Sequence, residues 1–362
     1  MTLSHFPEGN AIVYCDGAFN TLNGKTAHGL IRFTQRYKVL SVVDSHFHGQ
    51  DSGMVLDGKP NRIPIYPSIE AAFEAAKQND GPATHLVVGI APDGGRLSAA
   101  ARLHIKIAIQ YGLHIDSGLH DFISDDEEMV ELARRKDVRI RDIRKPPSRD
   151  KLHFFSGKIE QVDSLKIAIL GTDSAIGKRT TAWLLVHALN NAGYPTEIIG
   201  TGQTAWMQGA RHSIIMDSLV NDFVAGEIEH AVWSAWNDSK PKVIVIEGQG
   251  SLMNPAYPGG FEILAAGRPD FIILQHAPMR KEYDGFPGYP IQPLARQIHA
   301  IELLSGKPVA AITINHEHML PQQIPPISDA ILQVVGIPAV DVLLNGGSSL
   351  VNIIEPYLEK IQ

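Results

Sequence analysis

Residues Leu165–Thr181 read LKIAILGTDSAIGKRTT. An aliphatic run ends in Gly171, small residues follow, and Gly177-Lys178 opens a segment with apolar residues at Trp183, Leu184, Leu185, Ala188 and Leu189. Strand, tight loop and helix in that order are the context a phosphate-binding P-loop requires. The chemistry dictates the residue types. Backbone N–H groups must converge on phosphate oxygens, so bulky side chains are excluded from the turn. The helix N-terminus adds positive potential, and Lys178 adds a mobile charge. The expected phosphate-binding set is Gly171, Thr172, Asp173, Ser174, Ala175, Ile176, Gly177, Lys178, Arg179 and Thr180.

Two departures from the common pattern shape the expected ligand. Thr172 stands where the first glycine is usual, and Gly171 lies one residue earlier. More consequentially, nucleotide hydrolases place Ser or Thr directly after the lysine to hold Mg²⁺. This chain has Arg179 there, with Thr180 and Thr181 next. Moving a hydroxyl by one helical residue rotates it by about 100° around the axis. The usual Mg²⁺ ligand is therefore missing or rearranged, and no metal site is expected. A ligand gripped by its pyrophosphate without γ-phosphate chemistry fits such a loop, and coenzyme A is one. ATP with Mg²⁺ remains the alternative cofactor, since GTDS followed by GK is also similar to the loop of dethiobiotin synthetase and its relatives.

Other chemistry-bearing residues sit at the ends of predicted strands, where open α/β sheets bind ligands. Thr201-Gly202-Gln203-Thr204 follows one strand. Glu247-Gly248-Gln249-Gly250-Ser251 follows the strand VIVI and places an acid in a Walker-B-like position. Gln275-His276-Ala277-Pro278-Met279-Arg280 follows another, and Arg280 has the fork that binds carboxylates bidentately. Asp217, Asn221 and Asp222 are expected on one helix, with Asp217 and Asn221 sharing a face. The loop Asp284–Pro293 is a candidate cover for a site.

Taken together, DSAIGKRTT at 173–181, TGQT at 201–204, DFVAG at 222–226 and EGQGSL at 247–252 resemble one bacterial family. That family has long been labelled as of unknown function, with a Rossmann-like N-terminal domain and a P-loop C-terminal domain. A member is a D-glutamate N-acetyltransferase that uses acetyl-CoA. The resemblance implies acetyl transfer to the amine of an acidic amino acid, and the D-stereochemistry comes from the resemblance alone. Such a reaction wants a carboxylate base, because the amine must be neutral to attack a thioester. Glu247 and Asp222 are the candidates, and the residues do not separate them. Backbone amides of the glycine-rich segments, or Lys178, are the candidates for the oxyanion. Gln203, Asn221, Gln249 and Arg280 are the expected substrate-binding residues. Cys15 as an acyl carrier is disfavoured by its distance in sequence from every motif.

The elements that must position these residues alternate. Strands are expected at Val39–Asp44, Thr84–Ile90, Leu113–Ser117 and Val138–Ile143, with helices at Ser68–Gln78, Leu97–Tyr111 and Asp125–Lys136. The alternation restarts with strands at Leu165–Leu170, Thr196–Thr201, Lys242–Glu247, Phe271–Gln275, Val309–Asn315 and Ala339–Leu344. Helices are expected at Gly177–Ala192, Met216–Trp236 and Tyr289–Ser305. This predicts the α/β class with two parallel-sheet domains. A Rossmann-like domain is expected over 1–150 and a P-loop NTPase-like domain over 151–362, divided at the linker RKPPSRD.

Composition bounds the remaining possibilities. The 362 residues are 44% hydrophobic and 20% charged, enough apolar material for two cores. A net charge of −7 gives no electrostatic case for nucleic acid, so a small-molecule substrate is expected. A single cysteine, no leader-like start and no membrane-length apolar run point to a cytoplasmic protein with no membrane partner. Two further segments invite a function. Asp44-Ser45-His46-Phe47-His48 has the His-x-His of metal-dependent amidohydrolases but lacks their barrel context. Ala91–Arg96 has Gly94 and Gly95 before a helix without the full dinucleotide fingerprint, so a structural or oligomer-forming role competes, and a homo-oligomer is expected.

Overall fold

A computed structural model describes residues 6–78 and 81–359 of the chain. Residues 1–5, part of the start that reads as no leader, lie outside the described residues. The chain divides into two compact units, Met1–Pro146 with Gln203–Ala210, and Pro147–Gly202 with Arg211–Gln362. A single cut near residue 150 does not provide for the short segment Gln203–Ala210, which is counted with the first unit.

The first unit is built on a parallel sheet of β1 (Gly9–Tyr14), β2 (Tyr37–Val43), β3 (Ile65–Tyr66), β4 (His85–Val88), β5 (His114–Ser117) and β6 (Ile140–Asp142). Its order is β3-β2-β1-β4-β5-β6, a doubly wound arrangement. The central strand β1 is absent from the sequence reading. Its apolar stretch is four residues long, AIVY, and follows Gly9 and Asn10, so its alternation with helices is not visible. Once both faces are covered, those four residues are buried.

The helix Gln203–Gln208 is held to this unit by stacked charges. The guanidinium carbons of Arg36 and Arg141 lie 3.6 and 4.4 Å from the centroid of the Trp206 ring. Arg141 donates to the fully buried Asp116 from Nε at 2.6 Å and Nη2 at 2.7 Å, and Tyr37 donates to the same carboxylate at 2.5 Å. Glu8 bridges Arg141 at 2.9 Å and also pairs with Arg36. Burial raises Asp116, and the bonds from Arg141 and Tyr37 outweigh it, so the carboxyl is held below its usual range.

The second unit carries a parallel sheet of β7 (Leu165–Gly171), β8 (Thr196–Gly200), β9 (His212–Ser213), β10 (Val243–Glu247), β11 (Phe271–His276), β12 (Val309–Ile314) and β13 (Ala339–Val340). Its order is β13-β12-β11-β7-β10-β8-β9. All residues of β7 are buried, which is why it reads as an unbroken aliphatic run rather than an alternating one. The core packs Ala168, Leu170, Ile244, Ile246 and Leu274 of the sheet with Val224, Ile228, Val232 and Ala235 of the helix Asn221–Ser239. Chain crosses from β7 to β8 on one side and returns through β11 on the other. The carboxyl end of β7 therefore lies at a switch point, where such sheets open a crevice.

Three predicted elements differ. Met216–Ser218 is a separate 3₁₀ turn, and the helix begins only at Asn221, so Asp217 and Asn221 share no helical face. The strand expected over 339–344 stops at Val340, because the Asp341 carboxylate caps the helix Val342–Asn345. The helix expected from Tyr289 starts at Leu294, just after Pro293. Among the described residues no helix is long and apolar enough to cross a membrane.

Replacing Arg141 by Leu should leave the buried Asp116 charge with Tyr37 as its remaining donor. We expect a loss of about 3–5 kcal/mol in urea unfolding at pH 7, as for other buried pairs broken from one side. A loss below about 1 kcal/mol, the level of an exposed pair, would contradict this account of the first unit.

Candidate phosphate-binding site

The loop Thr172–Gly177 joins β7 to the helix Lys178–Asn191. Ala175 and Gly177 have positive φ, +49° and +100°, which turns successive amides toward one concavity. Gly177 caps the helix without a side-chain bond. The N–H groups of Ala175, Ile176 and Gly177 have no acceptor among the described residues. With the orphan amides of the first helical turn they form a nest for an anion.

The loop is held by partners from three other segments. The Asp173 carboxylate is fully buried. Its Oδ1 accepts from Ser174 N at 2.7 Å and Asn254 Nδ2 at 2.8 Å. Its Oδ2 accepts from Arg280 Nη1 and Asp284 N, both at 2.9 Å. Asn315 Nδ2 donates to Ile176 O at 3.1 Å, and Thr172 N donates to Gln275 O at 3.0 Å. Lys178 is buried, with Nζ donating to Asp173 O at 2.7 Å. Burial pushes this ammonium down to about 8, opposed by Asp173 and Glu247. Glu247, at the end of the adjacent β10, accepts from Thr201 N at 2.9 Å through Oε2. Burial raises its carboxyl, opposed first by the Arg179 guanidinium. A hollow of about 280 Å³, open to solvent, borders Gly171 and is walled in part by Gln249, Ser251, Met253 and Gln297.

This geometry agrees with comparisons to known proteins. The family pattern described as "Domain of unknown function (DUF1611_C) P-loop domain" matches residues 153–351, and its "(DUF1611_N) Rossmann-like domain" matches residues 45–146. The chain belongs to the DUF1611 family. A DUF1611 family protein from Anabaena variabilis, solved as a crystal structure, is 26% identical, with a TM-score of 0.88 over 96% of this chain and 100% of that one. A protein named D-glutamate N-acetyltransferase from Pseudoalteromonas sp is 29% identical over 289 residues, 77% of this chain and 82% of its own. Another of that name from Tritonibacter scottomollicae is 27% identical over 290 residues, 78% and 84% of the two chains. The two parallel-sheet α/β units are thus the Rossmann-like and P-loop domains of this family.

Within this DUF1611 chain the predicted residues separate. The loop from Gly171 through Gly177, Lys178, Arg179 and Thr180, together with Glu247, forms one cluster, with Gln249 on the wall of the neighbouring hollow. Arg280 is beside the loop but is already committed. Nε and Nη2 grip Glu317 at 2.6 and 2.7 Å, while Nη1 serves Asp173 and Ser174 O. Its carboxylate-binding fork is used internally, so the substrate role expected for Arg280 is corrected to a structural one. Gln203 is buried in the first unit, where a side chain on Gly118 would lie 2.5 Å from its Cγ. It is therefore no part of the P-loop unit. Asn221 and Asp222 are exposed in the first turn of their helix, and no hydrogen bond or ion pair ties either to the loop among the described residues. Asp222 as the base and Asn221 as a substrate ligand therefore gain no contact with the loop from this arrangement.

Asn254, Asn315 and Glu317 were missed. They lie in irregular segments, and their only sequence signal is a polar residue shortly after a glycine-rich turn or a strand. In the first unit, Asp16, Asp44 and His46 bring ligand atoms within 4.8 Å of one another. The Asp44 oxygens accept from the amides of Phe19, His46 and Phe47, and Asp16 Oδ1 accepts from Ser45 N and Oγ, which explains both acids as loop braces.

Burial pushes the His276 imidazole, which bonds Thr172 Oγ1 at 3.1 Å, down to about 4. The unfolded chain therefore takes up this proton near pH 6.5, before the folded one does. The stability contributed by neutral His276 is complete above about pH 6.5 and is lost as pH falls from there toward 4. His276→Asn should flatten urea midpoints measured between pH 7 and 4.5 relative to the parent protein. Identical slopes would refute this assignment.

Proposed function

We propose that this protein transfers the acetyl group of acetyl-CoA to the amine of an acidic amino acid, and that the acceptor is D-glutamate. The observation that carries the reading is the nest around Ala175–Gly177, backed by Lys178, in a loop whose next residue is Arg179 rather than a hydroxyl. Such a loop suits a diphosphate that is gripped but not cleaved. The name carried by the Pseudoalteromonas and Tritonibacter relatives supplies the activity and the acceptor.

The donors and charge of the loop suit the diphosphate of coenzyme A. Unpaired loop amides, the start of the helix and the buried Lys178 ammonium all offer donors to phosphate oxygens. When bound, acetyl-CoA supplies an activated carbonyl on a thiol leaving group. Glu247 is the base in this reading. Its carboxyl is raised by burial, which makes the carboxylate a stronger proton acceptor, and the Thr201 amide fixes one oxygen. The amine nitrogen bonds to the acetyl carbon, the carbon–sulfur bond breaks, and the amine's proton passes to Glu247 and on to the departing thiolate. Gln249, on the wall of the hollow, is the remaining candidate for orienting the acceptor. Cys15 is unsuited to carry the acyl group, since burial and then Asp44 hold its thiol protonated.

The decisive assay follows thiol release from acetyl-CoA with D-glutamate, L-glutamate and other acidic acceptors. Release with D-glutamate is expected, and none with any acceptor would reject the reading. Tight binding of ATP–Mg with no binding of coenzyme A would favour a ligase or kinase instead. Glu247→Gln should lower kcat by about 10²–10⁴-fold with little change in coenzyme A affinity. The parent rate should rise with pH through an acid limb above the ordinary glutamate range, and the variant should lack it. Lys178→Ala should raise KM for acetyl-CoA about tenfold or more, the scale of one lost charge-assisted bond.

A further inference from the structure

The side chain of Gln275, at the end of β11, lies under the phosphate loop and is 2% exposed. Its Oε1 accepts two hydroxyl donors, Thr181 Oγ1 at 2.5 Å and Thr313 Oγ1 at 2.6 Å. Both threonines are buried, so neither hydroxyl has water to turn to. With both hydroxyls donating to the oxygen, the amide nitrogen is left for the other side. The nitrogen is turned to the loop: Nε2 is 4.0 Å from where a side chain on Gly177 would begin. No acceptor for this N–H₂ group is present among the described residues, although the residue is almost completely buried. An amide N–H₂ group facing the loop can donate to an oxygen of an anion seated there.

Thr181 lies two residues beyond the position where a metal-ligating hydroxyl is usual, and the structure shows what it does there. It orients Gln275. The loop thus has an amide donor beside Gly177, while the residue after Lys178 is Arg179 and offers no metal-ligating oxygen. A donor repels a cation and attracts an anion. We infer that Gln275 Nε2 donates to the anionic group seated in the loop, and that the loop therefore binds its diphosphate without a divalent cation. The inference rests on the reading of this loop as a diphosphate site, and not on the acetyl-transfer chemistry. Gln275 is accordingly a binding residue, and Thr181 and Thr313 are positioning residues that fix its orientation.

Calorimetry with coenzyme A, on the full chain in EDTA and again in excess Mg²⁺, tests it. The parent protein should bind with affinities that agree within about twofold, below the free-energy scale of a single hydrogen bond. Gln275→Glu replaces the donor by an acceptor of the same shape. In EDTA it should bind about tenfold or more weakly, the worth of a bond to a charged group, and Mg²⁺ should restore part of the loss. Gln275→Met keeps the volume without a donor and should show the loss without a response to Mg²⁺. Far-UV circular dichroism and urea midpoints verify that each variant is folded. Dependence of the parent protein on Mg²⁺ by tenfold or more would overturn the inference whether or not the variants fold. So would a folded Gln275→Glu that binds like the parent in EDTA. Absence of coenzyme A and pyrophosphate binding in both buffers would instead overturn the diphosphate reading itself, and this inference with it.

Discussion

The carboxylate of Asp173 is fully buried and satisfied by Ser174 N, Asn254 Nδ2, Arg280 Nη1 and Asp284 N. A buried charge that gives up water must be repaid by bonds of this kind, and a shortfall of one would leave a large penalty. The constraint sets the shape of the whole site. It pins the start of the phosphate loop to the segments after β10 and β11, and it places the Asp173 carbonyl where Lys178 Nζ reaches it. With the loop's own carboxylate occupied, the amides of Ala175, Ile176 and Gly177 are left for a ligand.

The charges around the loop form a balanced set rather than a bare cationic hole. Arg280 is neutralised by Asp173 and Glu317, and Glu247 faces both Arg179 and Lys178. In a low-dielectric interior each of these groups depends on the others for its ionisation state. Lys178 pushed down and Glu247 pushed up are the expected result where burial works against both charges. An arriving diphosphate would add an anionic partner beside the buried Lys178 and favour its charged form.

The first unit solves a similar problem with different parts. Asp116, Arg141, Glu8, Arg36 and Tyr37 are linked by hydrogen bonds and ion pairs beside the Trp206 ring, and this cluster holds a segment of chain that follows Gly202. The stretch TGQT therefore serves two units. Thr201 N holds Glu247 in one, and Gln203 packs on Gly118 in the other.

By itself the sequence determined what is local. The strand–loop–helix from Leu165 to Asn191 is a contiguous segment whose small residues, glycines and apolar spacing point to this form, so loop and lysine were legible. The α/β class followed from the alternation of elements. The DSAIGKRTT and EGQGSL motifs resembled the family to which the chain belongs. Short strands such as β1 and β3 were hidden, because a few apolar residues carry no period. Partnership was decided only by tertiary structure. Arg280 meets Asp173 from 107 residues away, and Gln275 meets Thr181 from 94, because β11 lies directly beside β7. Spacing along the chain shows that Arg280 can grip a carboxylate, but strand order chooses which one, and it chooses carboxylates of the protein.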